Sequence, residues 1–96
     1  MTVSLVIDTA TARTIVGLVR DGEIVWQAFH DGATDHGNAV ADLVKQALTA
    51  GVNPDRVVVG MGPGPFTGLR VGIVTAAVFA HAREISIHGI CSLDAV

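Results

Sequence analysis

Residues 56–83 read RVVVGMGPGPFTGLRVGIVTAAVFAHAR, and this stretch decides the fold. Its first six residues predict a buried strand, because the valines point to both faces of an extended chain. A loop rich in glycine and proline follows. The run from Val71 to Ala82 contains no Asp, Glu, Lys or Arg. It predicts a buried helix that begins near Thr67 or Gly68 and lasts until about Arg83.

Two features upstream predict an antiparallel meander. The stretch VSLVID, residues 3–8, is apolar on both faces, which is typical of a central strand. The stretches TIVGLVR, residues 14–20, and EIVWQAFH, residues 23–30, flank the pair Asp21-Gly22. Because this pair supplies the positive φ angles of a type I′ hairpin, the second and third strands are predicted to be antiparallel neighbours.

A first helix is predicted between Asp35 and Ala50, where apolar residues recur with a spacing of three and four. Thr34 or Asp35 can cap its start, and Gly51 can close its end. ISIHGI, residues 85–90, predicts a last strand, and Ser92 looks like the cap of a further helix. This order predicts an α/β fold of the ribonuclease-H-like type, with a mixed five-stranded sheet, an antiparallel meander and two crossover helices.

Composition narrows the class of protein. The chain has 96 residues, enough for one compact domain, and 50% of them are hydrophobic. Its net charge is −3 and its six basic residues are scattered, so direct nucleic-acid binding by this segment is not expected. The single Cys91 and the absence of a signal-peptide pattern favour the cytoplasm. The uncharged run is shorter than the roughly 20 residues that span a membrane, so no membrane association is expected.

Three stretches together resemble one family. LVIDTATA in the first strand, GPGPFTGLR at the second helix and GICSLDAV at the end are similar to the TsaB family, also called YeaZ. The similarity covers essentially the whole chain, and GPG-x-FTG-x-R is a specific signature. Pro65 departs from the family pattern, which has Ser there. The resemblance implies an actin-like ATPase fold, of which residues 1–96 would be the N-terminal subdomain, with the second subdomain absent from this chain.

The resemblance also implies a role. The chain would be a non-catalytic subunit of the bacterial machinery that adds a threonylcarbamoyl group to the adenosine beside the tRNA anticodon. It would dock a TsaD-like catalytic subunit through its two helices, and a TsaE-like ATPase would join them. The same surface could pair two copies of the chain in a homodimer. Two alternatives are a glycoprotease-like peptidase and a nucleotide-binding regulator of the same fold.

Two loops are candidates for nucleotide binding. The first is the glycine loop, with Gly62, Gly64 and Thr67, but its two prolines lack the N–H groups that would hold a phosphate. Actin-like ATPases carry a D-x-G-[ST] loop after the first strand, where this chain has Asp8, Thr9, Ala10 and Thr11. Ala10 replaces the glycine that lets backbone approach phosphate. For the glycine loop, the favoured alternative is a rigid turn that positions the helix. For Asp8, it is a carboxylate that is hydrogen-bonded to the turn that follows it. No cofactor is expected.

No residue pattern predicts catalysis or a metal site. The four histidines, which are His30, His36, His81 and His88, lack the paired spacing of metal ligands on a helix. No Ser-His-Asp arrangement can be assigned. Ala10 in place of the phosphate-loop glycine therefore argues against a kinase. The lack of paired metal-ligand spacing argues against a metalloprotease. His36, at the start of the first helix, suits a cap or a partner contact.

The second helix gives the strongest functional signal, because it is apolar around most of its circumference. Such a helix must be covered on more than one side. One face lies on the sheet. The other face is covered by the first helix, by another subunit or by both. Of the substitutions Ile73→Glu and Val78→Glu, one should unfold the domain and the other should abolish association. The predicted partner contacts are His36, Leu43, Arg70, Gly72, Thr75, Val78 and Phe79.

Overall fold

The computed structural model describes residues 2–9, 13–31, 36–60 and 66–90. All seven predicted elements are present there, in the predicted order. They are β1 (Val3–Asp8), β2 (Arg13–Arg20), β3 (Glu23–Asp31), α1 (His36–Leu48), β4 (Arg56–Gly60), α2 (Phe66–Arg83) and β5 (Ser86–Ile90). The predicted caps of α1 at Thr34 and Asp35, and the predicted cap at Ser92, lie outside the described residues.

The strands form one mixed sheet in the order β3-β2-β1-β4-β5. β1 pairs antiparallel with β2, and β2 pairs antiparallel with β3, whereas β4 is parallel to both β1 and β5. Asp21 and Gly22 form the two-residue hairpin loop, with φ angles of 51° and 85°. The predicted meander and the central position of β1 are therefore confirmed.

Both helices pack on the same face of the sheet and build the core there. α1 lies against β2 and β3, α2 lies against β4, β5 and β1, and the two helices touch each other. Alternate residues of the central strands point into this layer, and each buried Leu, Ile or Val contributes about 1.5–3 kcal/mol. The fully covered strand residues are Leu5, Ile7, Val16, Leu18 and Val57.

Hydrogen bonds fix the start of the parallel pair β1 and β4. The backbone N–H of Val3 donates to Asp55 Oδ2 at 2.8 Å, and the N–H of Asp55 donates to the carbonyl of Val3 at 2.7 Å. Arg56 Nε donates to Ser4 Oγ at 2.7 Å. The strand register therefore begins at a defined position.

The opposite face of the sheet has no helix among the described residues. Val6, Ile15, Val19 and Val58 point to this face and are only half-buried. The sequence predicts that β1 and β4 are covered on both sides. Within the described residues, α1 and α2 supply that cover on one side only.

Candidate docking surface

The two helices enclose an open groove on the outside of the helical layer. It has a volume of about 480 Å³. The residues that line it are Ala41, Val44, Lys45, Val74, Thr75, Val78, Phe79 and Ala82. We call these eight residues the α1–α2 groove. All but Lys45 and Thr75 have apolar side chains, so the groove offers apolar contact above all.

α2 has a core face and an exposed face, and both are apolar. Gly72, Ala76 and Ala80 are buried toward the sheet. On the other side Val74 is 58% exposed and Val78 is 64% exposed, and their spacing of four places them one above the other. A solvated helix face normally carries polar residues at these positions. Paired valines facing solvent are typical of a surface that another protein covers.

Two polar side chains at this surface make contacts inside the chain. Thr75 Oγ1 donates to the carbonyl of Val71 at 2.8 Å. The guanidinium of Arg83 lies 5.1 Å from the centre of the Phe79 ring, within the range of a cation–π contact. In the part of the chain that the structure describes, every buried side-chain N or O atom has a hydrogen-bond partner. The groove therefore presents mainly apolar side chains for packing.

The predicted partner contacts do not all lie on one surface. Val78 is exposed, and Thr75 and Phe79 line the groove half-buried. Arg70 is exposed on the first turns of α2. Leu43, by contrast, is only 6% exposed and belongs to the core. His36 is the first residue of α1, and its side chain lies outside the described part of the structure.

Gly72 does not belong to the exposed face, contrary to the sequence prediction. Its backbone packs against the side chain of Thr9, at the end of β1. A Cβ atom at position 72 would lie 3.3 Å from both Cβ and Cγ2 of Thr9, and closer still to Oγ1. The small residue therefore lets α2 approach its own sheet, and the docking surface is formed without it.

This contact predicts the effect of Gly72→Ala on stability. Alanine improves helix propensity by about 1 kcal/mol, but crowding of a packed core costs about 1–3 kcal/mol. We expect a net loss of up to about 2 kcal/mol in the free energy of urea unfolding. In a Thr9→Ala background, where Oγ1 and Cγ2 are gone and only the Cβ contact remains, the same substitution should be less destabilising or even stabilising. Equal stabilisation in both backgrounds would show that the contact is not restrictive.

The sequence analysis missed the α1 side of the groove and Val74. Ala41, Val44 and Lys45 lie on α1 beside Val74 and Val78 of α2. Val74, Val78 and Ala82 share a spacing of four, which is the signal that could have found them. On α1, Val44 belongs both to the buried core and to the lining of the groove.

Of the six candidate nucleotide residues, the structure describes the side chains of Asp8 and Thr9. Asp8 is half-buried at the end of β1, on the face without helices. It lines a shallow cavity of about 280 Å³ that is otherwise mostly apolar. Thr9 is 1% exposed and packs against Gly72. Thr11, Gly62 and Gly64 lie outside the described residues, as does the side chain of Thr67.

Two further searches of the described ranges concern metals and membranes. No group of three His, Cys, Asp or Glu side chains within residues 2–9, 13–31, 36–60 and 66–90 is placed to hold a metal ion. In the same residues, no helix has the length and hydropathy that a membrane crossing needs.

Comparison with known proteins links this geometry to a family. The family model described as "TsaD: tRNA N6-adenosine threonylcarbamoyltransferase" matches residues 30–96. An uncharacterized protein of Mycobacterium leprae is 44% identical over 104 residues, which is 100% of this chain and 29% of that protein. The tRNA threonylcarbamoyladenosine biosynthesis protein TsaB of Escherichia coli is 32% identical over 93% of this chain and 40% of its own length.

A solved structure gives the same result. YeaZ from Pseudomonas aeruginosa superposes with a TM-score of 0.86 and 27% sequence identity, over 95% of this chain and 44% of that one. The chain thus spans less than half the length of the relatives that it matches. The mixed sheet with its two helices is accordingly the actin-like, ribonuclease-H-like fold. By its family model, its named relatives and its fold, the chain belongs to the TsaB/YeaZ family.

Proposed function

We propose that the chain acts by binding, as a non-catalytic part of the machinery that makes threonylcarbamoyladenosine in tRNA. Its α1–α2 groove docks the TsaD-like catalytic subunit and stabilises that enzyme's active form. The observation that carries this proposal is the pair Val74 and Val78, exposed by 58% and 64% on a helix whose other face is buried. The name of the Escherichia coli relative supplies the pathway.

We further propose that residues 1–96 form the N-terminal subdomain of a longer protein with two subdomains. The curated and structural relatives are more than twice as long as the matched part. No helix among the described residues covers the second face of the sheet, where Val6, Ile15, Val19 and Val58 are half-buried, and this supports the idea of a further covering segment. "The complete protein" below means this longer chain.

The remaining partners follow from the same proposal. A TsaE-like ATPase joins the pair, and two copies of the protein associate through the same groove when the catalytic subunit is absent. The assembly acts in the cytoplasm, where tRNA is modified. Neither a membrane nor direct nucleic-acid binding by this segment is part of the proposal.

The direct experiment is co-purification of the complete protein with the TsaD-like subunit of the same organism. The proposal expects both proteins to elute together in size-exclusion chromatography, earlier than either does alone. Separate elution at concentrations well above those in the cell would contradict it. Because the readout is association, the result does not depend on any catalytic activity of the chain.

A second candidate is a nucleotide-binding regulator, and Asp8 at the open sheet face is the observation that favours it. Against it, Ala10 replaces the glycine of the phosphate loop, and Thr9 is occupied by its packing against Gly72. A peptidase would need a nucleophile arrangement or a metal, and the sequence pattern predicts neither. Non-catalytic binding is therefore the better supported proposal.

We predict that the complete protein, purified alone, hydrolyses neither ATP nor peptides. The physical reason is the alanine at position 10, whose Cβ would limit the backbone approach that a phosphate loop needs. Phosphate release and isothermal titration with ATP and ADP measure turnover and binding separately. ATP turnover that Asp8→Ala abolishes would overturn the prediction, and tight binding without turnover would favour the regulator.

A further inference from the structure

β3 forms one edge of the sheet. It pairs with β2 on one side, and no strand lies on its other side among residues 2–9, 13–31, 36–60 and 66–90. With nine residues it is the longest strand that the structure describes. An edge of this length presents a row of backbone N–H and C=O groups to which another extended chain can bond. The outer edge of β3 is therefore able to accept a strand.

One half of β3 is better suited to strand addition than the other. The register with β2 shifts between Leu18 and Val19, where Val25 has no partner on β2. From Trp26 to Asp31 the pairing is regular. Edge strands are often protected by Pro or Lys, and β3 contains neither. The irregularity thus affects the hairpin end of β3 and leaves the other half straight and open.

A cavity lies beside this regular half, between β3 and α1. It has a volume of about 300 Å³. The residues that line it are Ala28, Phe29, His30, Ala39, Asp42, Leu43 and Gln46. We call it the β3–α1 cavity. Trp26 and Ala28 pack on the core and so mark the side of β3 that faces the helices. A strand added to β3 would point every second side chain to that side, toward the cavity.

The lining of the β3–α1 cavity fits a long basic side chain. Ala28, Ala39 and Leu43 offer apolar contact. Asp42 and Gln46 are exposed, and their spacing of four places them on one face of α1. In the part of the chain that the structure describes, Asp42 has no ion-pair partner. The methylene groups of a Lys or Arg can cover the apolar residues while its cation reaches the Asp42 carboxylate.

Two other occupants fit this edge less well. A second copy of β3 would bring no Lys or Arg to Asp42, because β3 contains neither residue. A nucleic acid would meet the negative charges of Glu23, Asp31 and Asp42, which repel phosphates. The charge at this edge therefore favours a basic segment of another protein.

We propose that the edge of β3 binds an extended segment of a partner protein as an added strand, with a Lys or Arg of that segment in the β3–α1 cavity beside Asp42. Backbone hydrogen bonds to β3 give affinity, and the cavity selects the basic residue. This site is separate from the α1–α2 groove, since no described residue lines both. The inference does not depend on the proposed docking of the catalytic subunit.

The test begins with a phage-displayed library of random ten-residue peptides, selected on the complete protein. Enriched peptides should contain a Lys or Arg among β-branched or aromatic residues and should lack Pro next to it. A synthetic copy of the most enriched peptide is then titrated against wild type and variants, each checked for folding by circular dichroism.

Charge reversal in the cavity should weaken peptide binding. We expect Asp42→Lys to lower the affinity by about tenfold or more, because an attraction becomes a repulsion, and Asp42→Asn to lower it by a smaller factor. Glu84→Lys makes the same charge change at an exposed residue just after α2, and this matched control should leave the affinity unchanged. Val78→Glu, which alters the α1–α2 groove, should also leave it unchanged.

Hydrogen exchange tests whether the peptide adds as a strand. With peptide bound, backbone amides in residues 26–31 should exchange more slowly by about tenfold or more, because added hydrogen bonds protect them. The amides of α2 should exchange at unchanged rates. Slower exchange in α2 without any change in β3 would contradict strand addition.

Other results would overturn the inference while leaving the docking proposal intact. One is a library that yields no enriched peptide, and another is a peptide that binds Asp42→Lys as it binds wild type. Loss of binding with Val78→Glu would place the peptide in the α1–α2 groove. Amides in residues 26–31 that are already protected without peptide would show that the longer chain covers its own edge. Self-association that Asp42→Lys weakens would indicate a second copy.

Discussion

The complete protein carrying Val78→Glu should fold as wild type does and should no longer bind the TsaD-like subunit. Val78 is 64% exposed, so a polar replacement should change the free energy of unfolding by about 0.5 kcal/mol or less. In the complex the same side chain would be enclosed by apolar groups, where an unpaired carboxylate costs several kcal/mol. We expect the dissociation constant to rise by about 100-fold or more. Isothermal titration calorimetry measures it.

Ile24→Glu is the matched control for that substitution. Ile24 is 65% exposed, almost the same as Val78, but it lies on the edge strand β3 away from the groove. Ile24 lies on the sheet face that we propose a further segment covers, so Ile24→Glu should lower the stability of the complete protein, whereas binding of the subunit by the folded protein should stay unchanged. If Ile24→Glu and Val78→Glu reduce the affinity equally, exposure of any apolar residue matters and the groove has no special role.

The second large effect concerns the core face of α2. Ala76→Glu should unfold the domain, because Ala76 is 0% exposed and sits where α2 packs on the sheet. A carboxylate there is buried without a partner and displaces packed side chains, and the two costs together are comparable with the 5–15 kcal/mol that typically separates folded from unfolded domains. We expect a loss of native near-ultraviolet circular dichroism and of the cooperative urea transition.

Ala77→Glu is the control, one residue further along the same helix. Ala77 is exposed. Both variants change the same residue type in the middle of α2, so their intrinsic helix propensities change equally. Only burial differs between them. A cooperative transition at similar urea concentrations for both variants would mean that α2 is not packed on the sheet as described.

The different burial of Ile73 and Val78 also predicts which of the substitutions Ile73→Glu and Val78→Glu destabilises the domain. Ile73 is half-buried and packs against the core, whereas Val78 faces solvent beside the groove. Of the two, Ile73→Glu is therefore the variant expected to destabilise the domain. Val78→Glu is the variant expected to separate folding from association.

The order of elements and the sheet topology could be predicted because their signals are local. Asp21-Gly22 sets the hairpin through two positive φ angles, as observed at 51° and 85°. Gly51, with φ of 82°, follows the end of α1 as predicted. The crossovers then follow from general rules on how helices connect parallel strands. The order of the elements and their connections therefore follow from local sequence signals and these rules.

The orientation of α2 could not be predicted, because a helix that is apolar all round has no amphipathic phase. Gly72 was therefore assigned to the partner side, while the structure places it against Thr9. Leu43 was likewise assigned to a contact surface, although α1 buries it in the core. Which face is covered depends on the tertiary packing of α2 against β1, and no local pattern encodes that contact.

Site-specific photo-crosslinking tests the central claim most directly. A benzoylphenylalanine residue is introduced into the complete protein in place of Val78, and in a separate variant in place of Ile24. Each variant is then irradiated with the TsaD-like subunit. Docking through the α1–α2 groove predicts an efficient crosslink from position 78 and none above background from position 24. A crosslink from position 24 alone, or from neither position in a mixture that co-elutes as a complex, would contradict it.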